Sequence, residues 1–411
     1  MSVLVRGQKG FPLRGVRATG WSVFDRDVLM PAAVLLQSAL THNSTSFARY
    51  CSDNGVSFAP HGKTTMSPQL FDLQLRDGAW GVTAANAFQA RTMIDHGVPR
   101  VLIANEVVAP GDVSWFASAI RRGHEVYSCV DSVAAVQTLD EGLHGRVKRR
   151  RAPVLVELGV TGGRTGCRSG SHALEVAEAV RRSSSLRLAG VSGFEGIISA
   201  SAQESTETLV DRFLHDLRCL ADDMSSRGLF ADTDEVLLSA GGSVHFERVV
   251  AQLRRDRPNR RERVVVRSGC YLSHDDGVIN ELSPLGLLPR TSGDVFRAAL
   301  EVWGVVLSRP EPDRVIIGVG KRDASTDGLL PVAKKRLRSG ASQPEPWASV
   351  GRATRVDDQH TYLSVELDDD VAVGDLVGLG ISHPCTTFDK WRAIPIVDDS
   401  YRVTDVAVTK F

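Results

Sequence analysis

From residue 56 onward, short β-branched runs alternate with amphipathic stretches, the signature of repeated βα units. Eight runs read as strands: Val56 to Ala59, Trp80 to Ala84, Val101 to Ala104, Glu125 to Val130, Val154 to Leu158, Leu188 to Phe194, Val236 to Ser239 and Val264 to Arg267. Each is followed by a pattern that reads as helix. Eight such units closing on themselves predict a parallel (β/α)8 barrel, whose post-strand residues gather at one rim. Lys63, Arg164, Glu195, Gly241, Gly242 and Gly269 fall at that rim. Before residue 56 lie an extended run around Ala33 to Leu36 and a helix. After about residue 290 helical periodicity stops, and alternating stretches such as Val302 to Leu307, Val315 to Val319, Tyr362 to Leu367 and Asp375 to Leu379 indicate an antiparallel β domain. The expected organisation is α/β: a barrel over residues 30–290, with residues 1–29 and 291–411 forming the β domain. Ser339 to Pro346 reads as an exposed loop, and no internal repeat beyond the βα alternation is visible.

A chain of 411 residues can bury two cores. Lys+Arg and Asp+Glu both total 49, so no net field draws nucleic acid or an anionic membrane, and a small-molecule partner fits better. The local basic runs, Lys148 to Arg151 and Lys334 to Arg336 with Arg338, read as solvated faces. No apolar run approaches about 18 residues and no signal-like segment is recognised, so a soluble cytoplasmic protein is expected. The six cysteines have no framework spacing, which favours free thiols in a reducing compartment.

Lys63 follows a short apolar strand, and an amine there can form a Schiff base once partial burial frees its neutral form. The turn Ser239-Ala-Gly241-Gly242-Ser243 follows the seventh strand, and its small residues let backbone N–H groups approach an anion at a helix start. A second turn, Arg267-Ser-Gly269-Cys270-Tyr271, follows the eighth strand and could close the same phosphate cup. Arg164, in the loop Gly159 to Gly166, could pair with a carboxylate or face a pyridine nitrogen. In Ser382-His383-Pro-Cys385, the imidazole and thiol would project to the same side if locally extended, and that donor pair suits zinc. No second donor pair with suitable spacing accompanies it.

The segments Ala59-Pro-His-Gly-Lys-Thr-Thr-Met-Ser-Pro-Gln-Leu, Gly78-Ala-Trp-Gly-Val-Thr, Val101-Leu-Ile-Ala-Asn-Glu, Arg267-Ser-Gly-Cys-Tyr-Leu-Ser-His-Asp and His383-Pro-Cys-Thr-Thr-Phe-Asp-Lys-Trp occur in order. In these the chain resembles the bacterial amino-acid deaminases of the D-serine dehydratase and D-threonine aldolase group, fold-type III pyridoxal phosphate enzymes with alanine-racemase-like architecture. The resemblance implies pyridoxal 5'-phosphate on Lys63, with His61 and Arg164 as cofactor contacts. The turns Gly241-Gly242-Ser243 and Gly269-Cys270-Tyr271 would hold its phosphate, and His383 and Cys385 would ligate zinc beside it. Phe194 stands where relatives often carry tyrosine, so a hydroxyl role is lost there.

The implied reaction is dehydration and deamination of a 3-hydroxy-D-amino acid to a 2-oxo acid and ammonia. The alternative is a retro-aldol cleavage to glycine and an aldehyde, using the harder manganese or magnesium; the His383 and Cys385 donors favour elimination. Racemisation needs two opposed acid/base groups, and a non-catalytic carrier of the cofactor would not need the C-terminal domain. The D-configuration and a head-to-tail homodimer also come from the resemblance.

Overall fold

The computed structural model describes residues 9, 20–24, 28–147, 150–255, 261–347 and 351–411. Lys148 and Arg149 of the first basic run, and most of residues 1–29, lie outside the described residues. In chain order the elements are β1 (Ala32–Leu36), α1 (Gln37–Asp53), β2 (Ser57–Phe58), α2 (Pro68–Arg76), β3 (Val82–Ala84), α3 (Ala87–Asp95), β4 (Arg100–Glu106), α4 (Pro110–Arg122), β5 (Glu125–Val130), α5 (Val133–Leu143), β6 (Ala152–Leu158), α6 (Gly170–Arg182), β7 (Leu186–Gly193), α7 (Thr206–Ser226), β8 (Val236–Ala240), α8 (Phe246–Leu253), β9 (Glu262–Val266) and α9 (Val278–Leu282). There follow β10 (Leu300–Glu311), β11 (Arg314–Ile317), β12 (Val332–Leu337), β13 (Glu345–Pro346), β14 (Arg355–Val356), β15 (Thr361–Ser364), β16 (Leu376–Gly380), α10 (Cys385–Phe388), β17 (Ala393–Val397) and β18 (Val403–Val408).

The eight strands β2 to β9 form one curled parallel sheet in the order β2-β9-β8-β7-β6-β5-β4-β3. The ring closes where Trp80 N–H donates to Phe58 O and Thr83 N–H to Pro60 O, both at 2.8 Å, beside a parallel bridge between His61 and Thr83. These strands read as continuous apolar runs because both faces are covered; every residue of β6 is buried. Inside, Ala59, Leu102, Leu155, Leu237 and Val265 pack with Trp80 and Tyr127. Strands β7 and β8 approach closely because position 190 is glycine: a Cβ there would lie 1.9 Å from the Leu237 carbonyl oxygen. The turn from strand to helix is set by short polar side chains, since Asn86, Ser132, Ser169 and Ser205 each accept a hydrogen bond from the backbone N–H three residues on.

The second sheet has ten strands, ordered β13-β12-β16-β10-β1-β17-β18, with β11, β15 and β14 branching from β10. β1 pairs antiparallel with β10 and parallel with β17. Its core gathers Val34, Trp303, Tyr401 and Val406 with Phe24, and buried Glu301 is satisfied by Trp303 Nε1, Lys335 Nζ and the Tyr401 hydroxyl.

The chain's two compact units are residues 1–47, 64–73 and 270–411, and residues 48–63 and 74–269. Ala32–Leu36 therefore belongs to the second sheet, where a boundary at residue 30 grouped it with the barrel; an apolar pentapeptide marks a strand but does not specify its partner. Residues 20–24 follow the same sheet, with Gly20 N–H donating to Val403 O and Val403 N–H to Trp21 O, both at 2.7 Å.

Two further expectations change. The run Lys334 to Arg338 is an ion-pair network, with Lys334 on Asp276 and Lys335 on Glu301 at 2.8 Å, and buried Arg336 on Asp369, Asp370 and Glu345. Alternation along β12 turns these cations toward acidic partners far away in sequence. The loop Ser339 to Pro346 ends in a strand, because Glu345–Pro346 pairs with β12.

Candidate functional site

In the barrel unit, Lys63 lies just past β2 in the 3-10 turn Gly62–Thr64 and is exposed, rather than partly buried as its place in the sequence suggests. The turn carries it off the end of the strand. His61, two residues earlier, is fixed by its bridge to Thr83 and by its N–H donating to Arg267 O at 3.3 Å. Its Nδ1 is enclosed without a hydrogen-bond partner. Burial first, then the charges of Arg267, Lys63 and Arg164, hold the His61 imidazole well below its ordinary pKa. It is therefore neutral near pH 7.

Arg267, just after β9, folds back into the barrel, where its guanidinium donates to Ser192 Oγ at 3.0 Å, Ser239 Oγ at 2.8 Å and Gly193 O at 2.6 Å. The two small-residue turns meet, since Ser268 Oγ donates to Gly242 O at 2.8 Å. Gly241 adopts φ +103, a conformation that favours glycine, and with Gly242 it points two N–H groups at the Glu195 carboxylate, at 3.0 and 2.7 Å. The turn expected to take a phosphate thus already holds an anion. Ser243 is half-buried between β8 and α8, and Gly269 is buried in the turn after β9.

Arg164 is exposed, its guanidinium 4.6 Å from the centre of the Phe194 ring. The glycine loop around it is tied down instead by Arg168, which donates to the Thr165 and Gly166 carbonyls at 2.9 and 2.8 Å, and by Gly166 N–H on Asp131 at 3.1 Å. Near it, the ends of β4 and β6 bring the carboxyls of Glu106 and Glu157 together. Burial first, then Glu157 and Asp131, raise the Glu106 carboxyl to about 8. A neighbouring carboxyl disfavours the charged form of Glu106, whose two carboxyl oxygens are enclosed without a hydrogen-bond partner.

In the other unit, His383 and Cys385 are not extended: His383 has φ +58 and Pro384 opens the helical turn α10. The turn, not strand alternation, brings the imidazole and thiol together. His383 Nδ1 bonds Asp327 Oδ2 at 2.7 Å, and His383 N–H donates to Asp275 Oδ2 at 2.9 Å. Cys385 Sγ lies 3.3 Å from Thr64 Oγ1 and 3.7 Å from Cys270 Sγ. Cys270 first, then His383 and Thr64, lower the Cys385 thiol pKa far below its ordinary value, while the bond to Cys385 and then Asp327 raise that of His383. Cys270, expected with the phosphate turn, places its thiol in this cluster. Tyr271, its neighbour, is buried against Phe47 and Phe296, with ring centres 4.3 and 6.1 Å away.

These residues fit the groups that the sequence points to. An exposed amine, an unpartnered imidazole nitrogen and two amides holding an anion suit an aldehyde-bearing phosphate ester. A thiol that ionises readily and an imidazole anchored at Nδ1 by a carboxylate suit a soft divalent ion. Among the described residues, no group of three or more His, Cys, Asp or Glu side chains is already spaced as a metal cage. Sequence reasoning assigned no role to Arg267, Glu106 or Asp327. Arg267 and Glu106 end strand-flanking motifs, a weak signal, whereas nothing local marks Asp327. A cavity of about 1130 Å³ opens elsewhere on the barrel, lined by Leu158, Arg168, Ile197, Arg212 and Phe213, and none of the candidate residues reaches it.

Residues 299–397 match the family described as putative serine dehydratase domain. Over its length the chain is similar to a D-threonine aldolase from Arthrobacter sp., 22% identical over 378 residues, covering 90% of this chain and 89% of the relative. A D-threo-3-hydroxyaspartate dehydratase from Delftia sp. (strain HT23) is 29% identical over 136 residues, 33% of this chain and 35% of that enzyme. The crystal structure of D-threonine aldolase from Filomicrobium marinum superposes with a TM-score of 0.75 at 23% identity, covering 93% of this chain and 95% of that one. The same architecture extends to an alanine racemase from Clostridium difficile 630, with a TM-score of 0.62 at 13% identity, over 93% and 99% of the two chains. The fold is alanine-racemase-like. Among the described residues, no helix is long and apolar enough to cross a membrane.

Proposed function

We propose that the chain is a lyase that uses pyridoxal 5'-phosphate and a divalent metal to remove water from a 3-hydroxy-D-amino acid, giving a 2-oxo acid and ammonia. The observation that carries the reading is the soft donor pair: Cys385, whose Sγ lies 3.7 Å from that of Cys270, and His383, whose Nδ1 bonds Asp327 Oδ2 at 2.7 Å. The cofactor, held by Lys63 at rest and passed to the substrate's amino group, would supply an electron sink for charge developing at Cα. A zinc ion on His383 and Cys385 would act as a Lewis acid toward the β-hydroxyl, which is otherwise a poor leaving group.

The chain's own contributions are as follows. Lys63 Nζ would hold the cofactor's aldehyde at rest and, once the substrate's amino group has displaced it, would accept the Cα proton. The Gly241 and Gly242 N–H groups would take the phosphate once the Glu195 carboxyl yields them, with charge complementarity from Arg267 deeper in the barrel. His61, kept neutral, presents Nδ1 as an acceptor without adding positive charge. The 3-hydroxy-amino-acid substrate and a homodimeric assembly belong to the same proposal.

The second reading is retro-aldol cleavage to glycine and an aldehyde, favoured by the extent of the likeness to D-threonine aldolase. Purified protein supplied with cofactor and metal, incubated with D-serine, D-threonine and D-threo-3-hydroxyaspartate, separates the two. Pyruvate, 2-oxobutanoate or oxaloacetate with ammonia supports elimination; glycine with an aldehyde overturns it.

A further inference from the structure

We infer that Cys270 is a third metal ligand, joining His383 and Cys385. The inference rests on the proposed metal dependence and goes beyond it by naming a donor.

Cys270 Sγ and Cys385 Sγ are 3.7 Å apart. A tetrahedral zinc ion with Zn–S bonds of about 2.3 Å separates two thiolates by about 3.8 Å. The pair therefore already spans one edge of a zinc tetrahedron, and no backbone shift is needed to seat an ion between its sulfurs. Both residues come from turns held in the same unit. Cys270 follows β9, and its carbonyl accepts the His274 N–H at 2.7 Å. Cys385 opens α10 beneath His383.

The third donor is also held nearby. His383 Nδ1 is committed to Asp327, which leaves Nε2 as the ring atom for an ion, the arrangement that orients metal-bound imidazoles. Its side chain is 41% exposed, so the imidazole is accessible to an ion seated on the two sulfurs. Both sulfurs would ligate as thiolates, any remaining thiol proton passing to solvent. The resulting His-Cys-Cys set leaves one tetrahedral position for water or a substrate oxygen, as catalytic zinc sites require.

Two sulfurs instead of one also set the metal preference. A second thiolate shifts the site further toward zinc and away from manganese or magnesium.

The test uses the full-length protein loaded with metal and counts sulfurs. Zinc K-edge X-ray absorption of the wild-type protein is expected to show two Zn–S scatterers at about 2.3 Å. Cobalt(II) titration of metal-stripped protein is expected to give thiolate-to-cobalt charge-transfer absorbance that falls by about half in Cys270→Ser, with zinc affinity lowered at least 10-fold. One Zn–S scatterer in the wild type, or unchanged absorbance and affinity in Cys270→Ser, would overturn the assignment while leaving the His383 and Cys385 site intact. Absence of any thiolate-to-cobalt absorbance in the wild type would overturn the metal reading itself, and this inference with it. The wild-type absorption measurement decides the matter even if the variant fails to fold.

Discussion

Glu106→Gln should alter stability in a way that depends on pH. The Glu106 carboxyl, half-buried at the end of β4, is raised to about 8 by burial first and then by Glu157. The folded chain therefore retains a proton that the unfolded chain releases near 4.5. This contribution is complete below that value, declines as the pH rises, and is lost once the pH passes the folded value. At 1.36 kcal/mol per pH unit, the interval from 4.5 to about 8 sets a ceiling of about 5 kcal/mol. Partial exposure and the coupled titration of Glu157 reduce the expected effect to about 1–2 kcal/mol. Glutamine keeps the shape and cannot ionise. Urea unfolding at pH 5, 7 and 9, followed by tryptophan fluorescence, should find the two proteins similar at pH 5 and Glu106→Gln more stable by about 1–2 kcal/mol at pH 9. A difference that stays constant across the three pH values would refute a burial-raised Glu106 carboxyl.

Two further substitutions test separate parts of the molecule. Lys63→Ala should lose the yellow absorbance that borohydride fixes in the cofactor-loaded protein, and activity should fall by about 10³-fold or more; retention of both would remove the amine from the chemistry. Arg218 is fully buried and bonds Glu262 at 2.6 and 3.0 Å, as well as Asp222. Arg218→Ala removes the fully buried guanidinium that Glu262 and Asp222 share, so unfolding free energy should drop by about 3–5 kcal/mol in a urea titration, and a loss below about 1 kcal/mol would contradict that role.

The sequence by itself determined the barrel. Its eight strands were legible because parallel strands buried on both faces must be apolar throughout, and polar caps such as Ser132 and Ser169 restart helices after them. It also singled out Lys63, His383, Cys385 and the glycine turn at Gly241 as candidates, from local spacing alone. Tertiary structure decided what depends on distant partners: that β1 joins the second sheet, that Lys334 to Arg338 find acids and not solvent, and that Glu195 occupies the Gly241 and Gly242 amides. It alone set Cys270 beside Cys385, 115 residues away, and Asp327 on His383, 56 residues away. Periodicity records which face of an element is buried, but not which element covers it. Charge pairs and ligand sets require that second piece of information, and only the folded chain supplies it.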